Sequence, residues 1–408
     1  MEEWKEYKIK DLLIIPIRNG LTKPSAIRGS GVRMIGMKEI FSMDFIRSVE
    51  MERVPVTEME YESSEIQVSD LLFARQSLSL EGAGKCAIVL CVDEPTVFES
   101  HLIRLRVDNS KANPFFIYYY FKSNIGRNQI KSLVQQVAAA GIRGKELVEL
   151  DIKIPPLDLQ NGIVDVLKSF DDKIELNRQI NDNLEQQAQA VFKSWFVDFE
   201  PFKDGEFVES ELGMIPKGWD VLSFKQFIKS SSEKVLVGEL REYSVTNNGI
   251  IPRDSKFKKQ LSQASSKNKV LKKDNLVFGM SREILNWGIM EDEIGGVSSA
   301  YHVYVIDKDI ISPTYLKQYM KAHISDFNKL IGTAAREGQS LDKGALMQTN
   351  VIVPPSMIWV DFSMIYNTLI EEKNKIELES RRLAELRDTL LPRLMSGELK
   401  VNEIEKIA

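Results

Sequence analysis

The chain has 408 residues, of which 43% are hydrophobic and 28% charged, with a formal net charge of −5. That length predicts two or three domains rather than one, and no apolar run approaches the ~18 residues of a membrane span. The opening MEEWKEYKIKDLL carries acidic residues and no long apolar stretch, so it does not read as a secretion signal, and the expected location is cytoplasmic.

Taken in chain order, the elements come twice. WKEYKIKDL at 4–12 opens a region of short strands and returns as WDVLSFKQF at 219–227. DLLFAR at 70–75 returns as DNLVFGMSR at 274–282. Strands are predicted at 86–92, 101–107, 301–306 and 350–353, which are short and rich in β-branched and aromatic residues. PFFIYYYFKS at 114–123 returns as PTYLKQYMKA at 313–322, each a predicted helix whose proline suits the first turn. IKIPPLD at 152–158 returns as VIVPPSM at 351–357, an offset of 199 residues; the paired prolines end a strand because proline cannot continue a ladder. Such ordered self-similarity predicts an internal duplication.

After each Pro-Pro the apolar period changes from two to between three and four. Ile163, Leu167, Phe170, Ile174, Leu184, Ala188, Val191 and Trp195 form one stripe, with Asn177 and Asn181 in intervening slots. Phe362, Ile365, Leu369, Ile376, Leu383, Leu386 and Leu390 form the other, with Glu372 and Glu379 between. Sustained heptads predict coiled-coil pairing, and polar core slots fix its register. The simplest partner for each helix is the other copy's helix, run antiparallel, with the globular domains at opposite ends; the alternative is that each helix packs back on its own domain. The fold class expected is therefore α+β: two globular domains, each followed by a long helix, related as a pseudo-two-fold repeat. The boundaries read as 1–155 for the first globular domain and 156–200 for the central helix. The second domain follows at 201–354 and the closing helix and tail at 355–408.

Charge is unevenly spread. Residues 198–211 hold six acids and one lysine, residues 253–273 eight basic residues and one aspartate, and residues 122–145 five basic residues and no acid. Local positive charge, not the net value, governs attraction to phosphates. The two cysteines, Cys86 and Cys91, lie in one apolar run and would face opposite sides of a strand, which predicts core packing and no disulfide. No phosphate-binding Gly-Lys loop, methyl-donor loop or nucleophile elbow is present. His101, His302 and His323 are the only histidines, the first two in predicted strands. The chain reads as a binding and positioning protein without catalytic or metal residues.

The stretch 154–202, from IPPLDLQNG to FVDFEPF, resembles the central spacer of type I restriction-modification specificity subunits. ESELGMIPKGW at 209–219 resembles the entry to their second target-recognition domain, and ELRDTLLPRLMSGEL at 385–399 their closing helix. The resemblance extends over essentially the whole chain. It implies a non-catalytic subunit that binds a bipartite, asymmetric site on double-stranded DNA, one half per recognition domain, with the paired helices setting the gap. It also implies two methyltransferase subunits docked on the chain and restriction subunits in the full complex. S-adenosylmethionine, ATP and Mg would then sit on those partners, with none on this chain.

On that reading Arg75, Gln76 and Ser77 are candidate DNA contacts, since arginine and glutamine pair bidentately with guanine and adenine edges. Lys85, Arg143 and Lys145 join them in the first domain. In the second, Ser281 and Arg282 stand where Arg75 does; Lys256, Lys258, Lys259, Lys267 and Lys269 suit phosphates; Arg336 and Gln339 lie in the counterpart of the 138–145 loop. For each, a solvated surface charge is the plain alternative. Phe192, Trp195 and Phe196, and likewise Leu390, Leu391 and Leu394, are candidates for docking a methyltransferase, or else for packing helix to domain. Rival readings are the recognition part of a fused restriction/methyltransferase enzyme and a coiled-coil adaptor that does not read DNA.

Overall fold

The computed structural model describes residues 4–136, 140–236, 240–253, 266–281, 283–332 and 341–404. The chain divides into two compact units. One comprises Met1–Asn177 with Leu378–Ala408, the other Arg178–Glu377.

In the first unit, strand Lys5–Lys8 pairs antiparallel with Asp151–Ile154, so the two ends of the globular part are stitched together just before Pro155 and Pro156. Inside lies a five-stranded sheet in the order Arg18–Asn19, Leu102–Leu105, Leu71–Ala74, Cys86–Val89, Phe45–Ile46. Its three central strands are buried on both faces, so Leu71–Ala74 and Cys86–Val89 read as continuous apolar runs, while Leu102–Leu105 carries the buried Arg104, which donates to Glu65 O at 2.6 Å. Helix Pro114–Lys122 packs into the same core; Asn113 caps it, its side-chain oxygen accepting from Phe115 N at 2.8 Å. Cys86 is buried in this core, but its strand ends at Val89 and Cys91 is exposed, so only one of the two cysteines is a core residue.

The second unit repeats the plan. Asp220–Ser223 pairs antiparallel with Asn350–Val353 directly before Pro354 and Pro355. A four-stranded sheet runs Ile228–Ser231, His302–Ile306, Leu276–Phe278, Trp287–Ile289. A second four-stranded sheet runs Gly249–Pro252, Glu242–Thr246, Ile294–Val297, Lys269–Lys272. Helix Pro313–Ala322 is capped by Ser312 and begins, like its counterpart, with proline.

The long helices are Leu157–Phe196 and Ser356–Met395, each of 40 residues. Each unit contains a stretch of both. In the first unit Ile163 and Leu167 share a core with Leu390 and Leu394. There Asp171 pairs with Arg387, and Asn177 donates to Glu379 Oε2 at 2.7 Å and Ser380 Oγ at 3.2 Å. In the second unit Glu185 pairs with Lys373, while Phe192 and Phe196 meet Phe362 at ring separations of 5.7 and 5.0 Å. Residue numbers rise on one helix as they fall on the other, so the pair is antiparallel in each unit. The helices pair with each other and also pack on the globular cores, combining the two alternatives of the sequence reading. Two slots differ from expectation. Ile365 is exposed, and Tyr366 takes the inward position beside Phe362, its hydroxyl accepting from Gln318 at 2.7 Å. Glu372 is exposed and bonds Lys375, while its neighbour Lys373 reaches across to Glu185. The stripe drifts there because 3.6 residues per turn does not match a strict heptad.

Candidate nucleic-acid interface

In the first unit the fold brings together two segments that are distant in the sequence, residues 75–77 and 140–145. Arg75 follows strand Leu71–Ala74 and is fixed through its backbone, its N donating to His101 O at 2.8 Å and its O accepting from Ile142 N at 2.9 Å. Gln76–Ser77 then forms the edge of a small sheet with Ala140–Gly141 and Gln135–Gln136, in the register Gly141 to Gln76 and Ala140 to Ser77. A Cβ on Gly141 would lie 3.0 Å from the Arg75 carbonyl oxygen, so glycine permits this close approach. Arg143, two residues on, is exposed and lies 3.7 Å from Glu146; Lys145 is exposed as well. The backbone register thus places Arg75, Gln76 and Ser77 beside the segment that carries Arg143 and Lys145, with Arg75 and Ser77 half-buried and the other three exposed.

Not every basic residue of this region is free. The ammonium of Lys85 donates to Phe41 O at 3.2 Å and lies 3.4 Å from Asp44, which also receives Lys122 at 2.7 Å. Burial opposes the charge of Asp44, yet the two lysines hold its carboxyl below the usual range. Arg127 donates to Glu81 O at 2.7 Å and Gly84 O at 3.2 Å, bracing the loop after Gln76–Ser77. Lys85 is therefore a brace rather than the free contact expected of it, because a half-buried ammonium beside a carboxylate satisfies itself internally.

In the second unit Ser281 is 1% exposed and accepts from Asn286 N at 2.9 Å, so its hydroxyl holds the turn together and is not presented outward. Lys267 is exposed. Lys269 is half-buried, donates to Tyr301 O at 2.5 Å and bridges by backbone to Lys234. Burial and then Lys343 lower the Lys269 ammonium; burial followed by Lys343 and Lys269 pushes His302 down to about 4. His302 is consequently neutral at pH 7 within a basic cluster. Lys343 and Lys234 escaped the sequence reading, since neither is near Lys269 in the chain and no motif marks them. Lys256, Lys258, Lys259, Arg282, Arg336 and Gln339 lie outside the described residues.

The six aromatic and leucine positions expected to dock a partner are core. Phe192 and Phe196 are 4% and 2% exposed, with Trp195 packed against the same cluster. Leu390, Leu391 and Leu394 are buried in the first unit's core. Their helical spacing signalled burial, and the unit's own domain supplies it. The cross-helix pair near them is satisfied too: Asp171 accepts from Tyr119 Oη at 2.6 Å and from Arg387. Burial works against the guanidinium of Arg387, but Asp171 and Asp388 outweigh it and hold it protonated. Among the described residues there is no group of potential metal ligands and no helix long and apolar enough to cross a membrane.

Residues 1–186 match the family described as the type I restriction modification DNA specificity domain. The whole chain is similar to the MjaIX type I restriction enzyme specificity subunit of Methanocaldococcus jannaschii, 25% identical over 419 residues, covering 99% of this chain and 95% of that one. It is also similar to the HindI specificity subunit of Haemophilus influenzae, 26% identical over 355 residues, covering 70% and 77%. Among solved structures, the type I restriction-modification S subunit from M. genitalium shares the fold with a TM-score of 0.58 at 15% identity, covering 96% of each chain.

Proposed function

We propose that this chain, a relative of the specificity subunits of type I restriction-modification systems, reads a DNA site in two unlike halves. The first unit takes one half through Arg75, Gln76, Ser77, Arg143 and Lys145. The second takes the other through the region around Lys267, Lys269, Lys343 and Lys234. The observation that carries this reading is the duplicated architecture with diverged surfaces: the same closing strand pair, proline-led helix and helix stretch recur, while the exposed residues differ. A repeat with two different polar faces suits a bipartite, asymmetric sequence. Arginine and glutamine at a strand edge suit direct reading of base edges, and exposed lysines and arginines supply phosphate contacts.

In this account the chain does no chemistry. The antiparallel helices set the gap between half-sites and offer their exposed polar faces to two methyltransferase subunits, with restriction subunits joining in the full complex. S-adenosylmethionine, ATP and Mg belong to those partners. The buried aromatic and leucine residues support the docking surface from beneath without forming it. Selection from a random-sequence duplex library by the chain with its methyltransferase partners tests the proposal. Two short motifs separated by a fixed gap are expected. One continuous motif, or no enrichment, would contradict it, as would methylation of DNA by the purified chain alone.

A further inference from the structure

The loop that follows Gln76–Ser77 carries a leucine in an unusual setting. Leu78 is fully exposed, and Leu80 is 51% exposed. Scattered surface leucines need no explanation. Here, however, the loop holding Leu78 is built rather than loose. Ser77 Oγ accepts from Ser79 N at 3.1 Å, Gly82 N donates to Ser79 O at 3.2 Å, and Lys85 N donates to Gly82 O at 3.1 Å. Gly84 N donates to Ala74 O at 2.8 Å, and Arg127 clasps two carbonyls of the same loop. Gly82 is packed so closely that a Cβ there would come to 2.2 Å from Ser77 Oγ. The loop is closed against Ser77, and Leu78 is left outside it, one residue from the polar strand edge.

The arrangement recurs. In the second unit the turn after Leu276–Phe278, counterpart of Leu71–Ala74, leaves Met280 39% and Ile284 49% exposed. Both units therefore hold aliphatic side chains in solvent immediately beyond the strand that leads to the candidate reading edge.

We propose that Leu78 reads a base: it packs against the 5-methyl group of a thymine in the major groove of the half-site engaged by the first unit. This rests on the reading of the chain as a DNA specificity subunit. The thymine methyl is the apolar feature that the major groove offers among hydrogen-bonding groups, and an aliphatic side chain recognises it by contact. Arg75 and Gln76 beside Leu78 are side chains suited to base edges of that same groove. Because the backbone that carries Leu78 is braced before binding, contact orders little beyond the side chain itself.

The experiment uses the full chain with its methyltransferase partners and the bipartite site obtained by selection. Each thymine of the first unit's half-site is replaced in turn by uracil, which removes only the methyl group. The wild-type complex is expected to bind about three- to fivefold more weakly at one such position, the scale of one buried carbon. Leu78→Ala is expected to bind the parent site more weakly and to ignore that replacement, with an unchanged melting temperature because the side chain buries nothing in the free protein. Tolerance of every uracil by the wild type, equal sensitivity in Leu78→Ala, or a half-site without thymine would overturn the inference. So would a rise in 2-aminopurine fluorescence that depends on Leu78 without any uracil effect, which would make the residue a wedge between bases. Failure to enrich any two-part site would instead bring down the functional reading, and this inference with it.

Discussion

The two units follow one plan but spend their polar residues differently. In the first, the segment after the strand Leu71–Ala74 forms a sheet edge with Gln76 exposed and Arg143 alongside. In the second, the corresponding Ser281 is buried and bonded to Asn286 N. The cross-helix ion pairs differ in the same way. Asp171 and Arg387 have side chains 6% and 25% exposed, whereas Glu185 and Lys373 are 39% and 25% exposed. Duplication preserved what closes and caps each unit and left free what each presents. That is the pattern expected when the scaffold must stay alike and the two surfaces must not.

The largest effects should come from breaking what the units share. Phe196→Ala and Leu394→Ala each open a fully packed site and should cost about 3–5 and 2–5 kcal/mol respectively in chemical denaturation. If either variant kept its stability and lost only partner binding, these positions would be docking residues after all. Next, Asp171→Ala should cost about 1–3 kcal/mol, because it removes the buried acceptor of Tyr119 and leaves the Arg387 guanidinium to Asp388 alone. Glu185→Ala should cost no more than about 1 kcal/mol, since that pair is solvated. The Lys373 bond holds Glu185 below the usual carboxylate range, against burial. A depressed carboxylate stabilises the fold above its unfolded value of about 4.3, and that stability fades as pH falls through the folded value. Melting curves between about pH 6 and 3, which span the carboxylate range, should therefore show the wild type losing its small advantage over Glu185→Gln.

Smaller effects probe the surfaces that differ. Arg143→Gln and Lys145→Gln should each lower the slope of log affinity against log salt by about 0.9 if both sit on phosphates. A change confined to one base position, with the slope unaltered, would make the residue a base reader. Lys85→Gln should change DNA affinity by no more than about twofold, the scale of a substitution away from an interface. A larger loss would show that its link to Asp44 is given up on binding.

The repeated frame was legible because its signals are local. Pro155–Pro156 and Pro354–Pro355 cannot continue a strand ladder, and Pro114 and Pro313 suit a first helical turn. The long helices announced themselves through period. What stayed hidden depended on contacts distant in the chain. Ile365 and Tyr366 are both apolar at adjacent positions, and packing against Phe362 decided between them. Cys91 continues the apolar run of Cys86 in sequence, but the strand stops two residues earlier. Lys85 reads as a free cation in sequence, but Asp44 and the Phe41 carbonyl stand beside it in the fold. Arg75, Gln76 and Ser77 are candidates on chemistry alone; that the Arg143 segment lies beside them depends on the pairing of Gly141 with Gln76. Lys343 and Lys234 join Lys269 only in three dimensions.

The central claim is that each unit reads its own half of one DNA site. Library selection performed in parallel with the wild-type complex and with an Arg75→Ala, Gln76→Ala double variant tests it most directly. The account predicts that one half-motif loses base preference while the other half and the gap between them stay as in the wild type. Equal decay of both halves, or a shift in the gap, would contradict it.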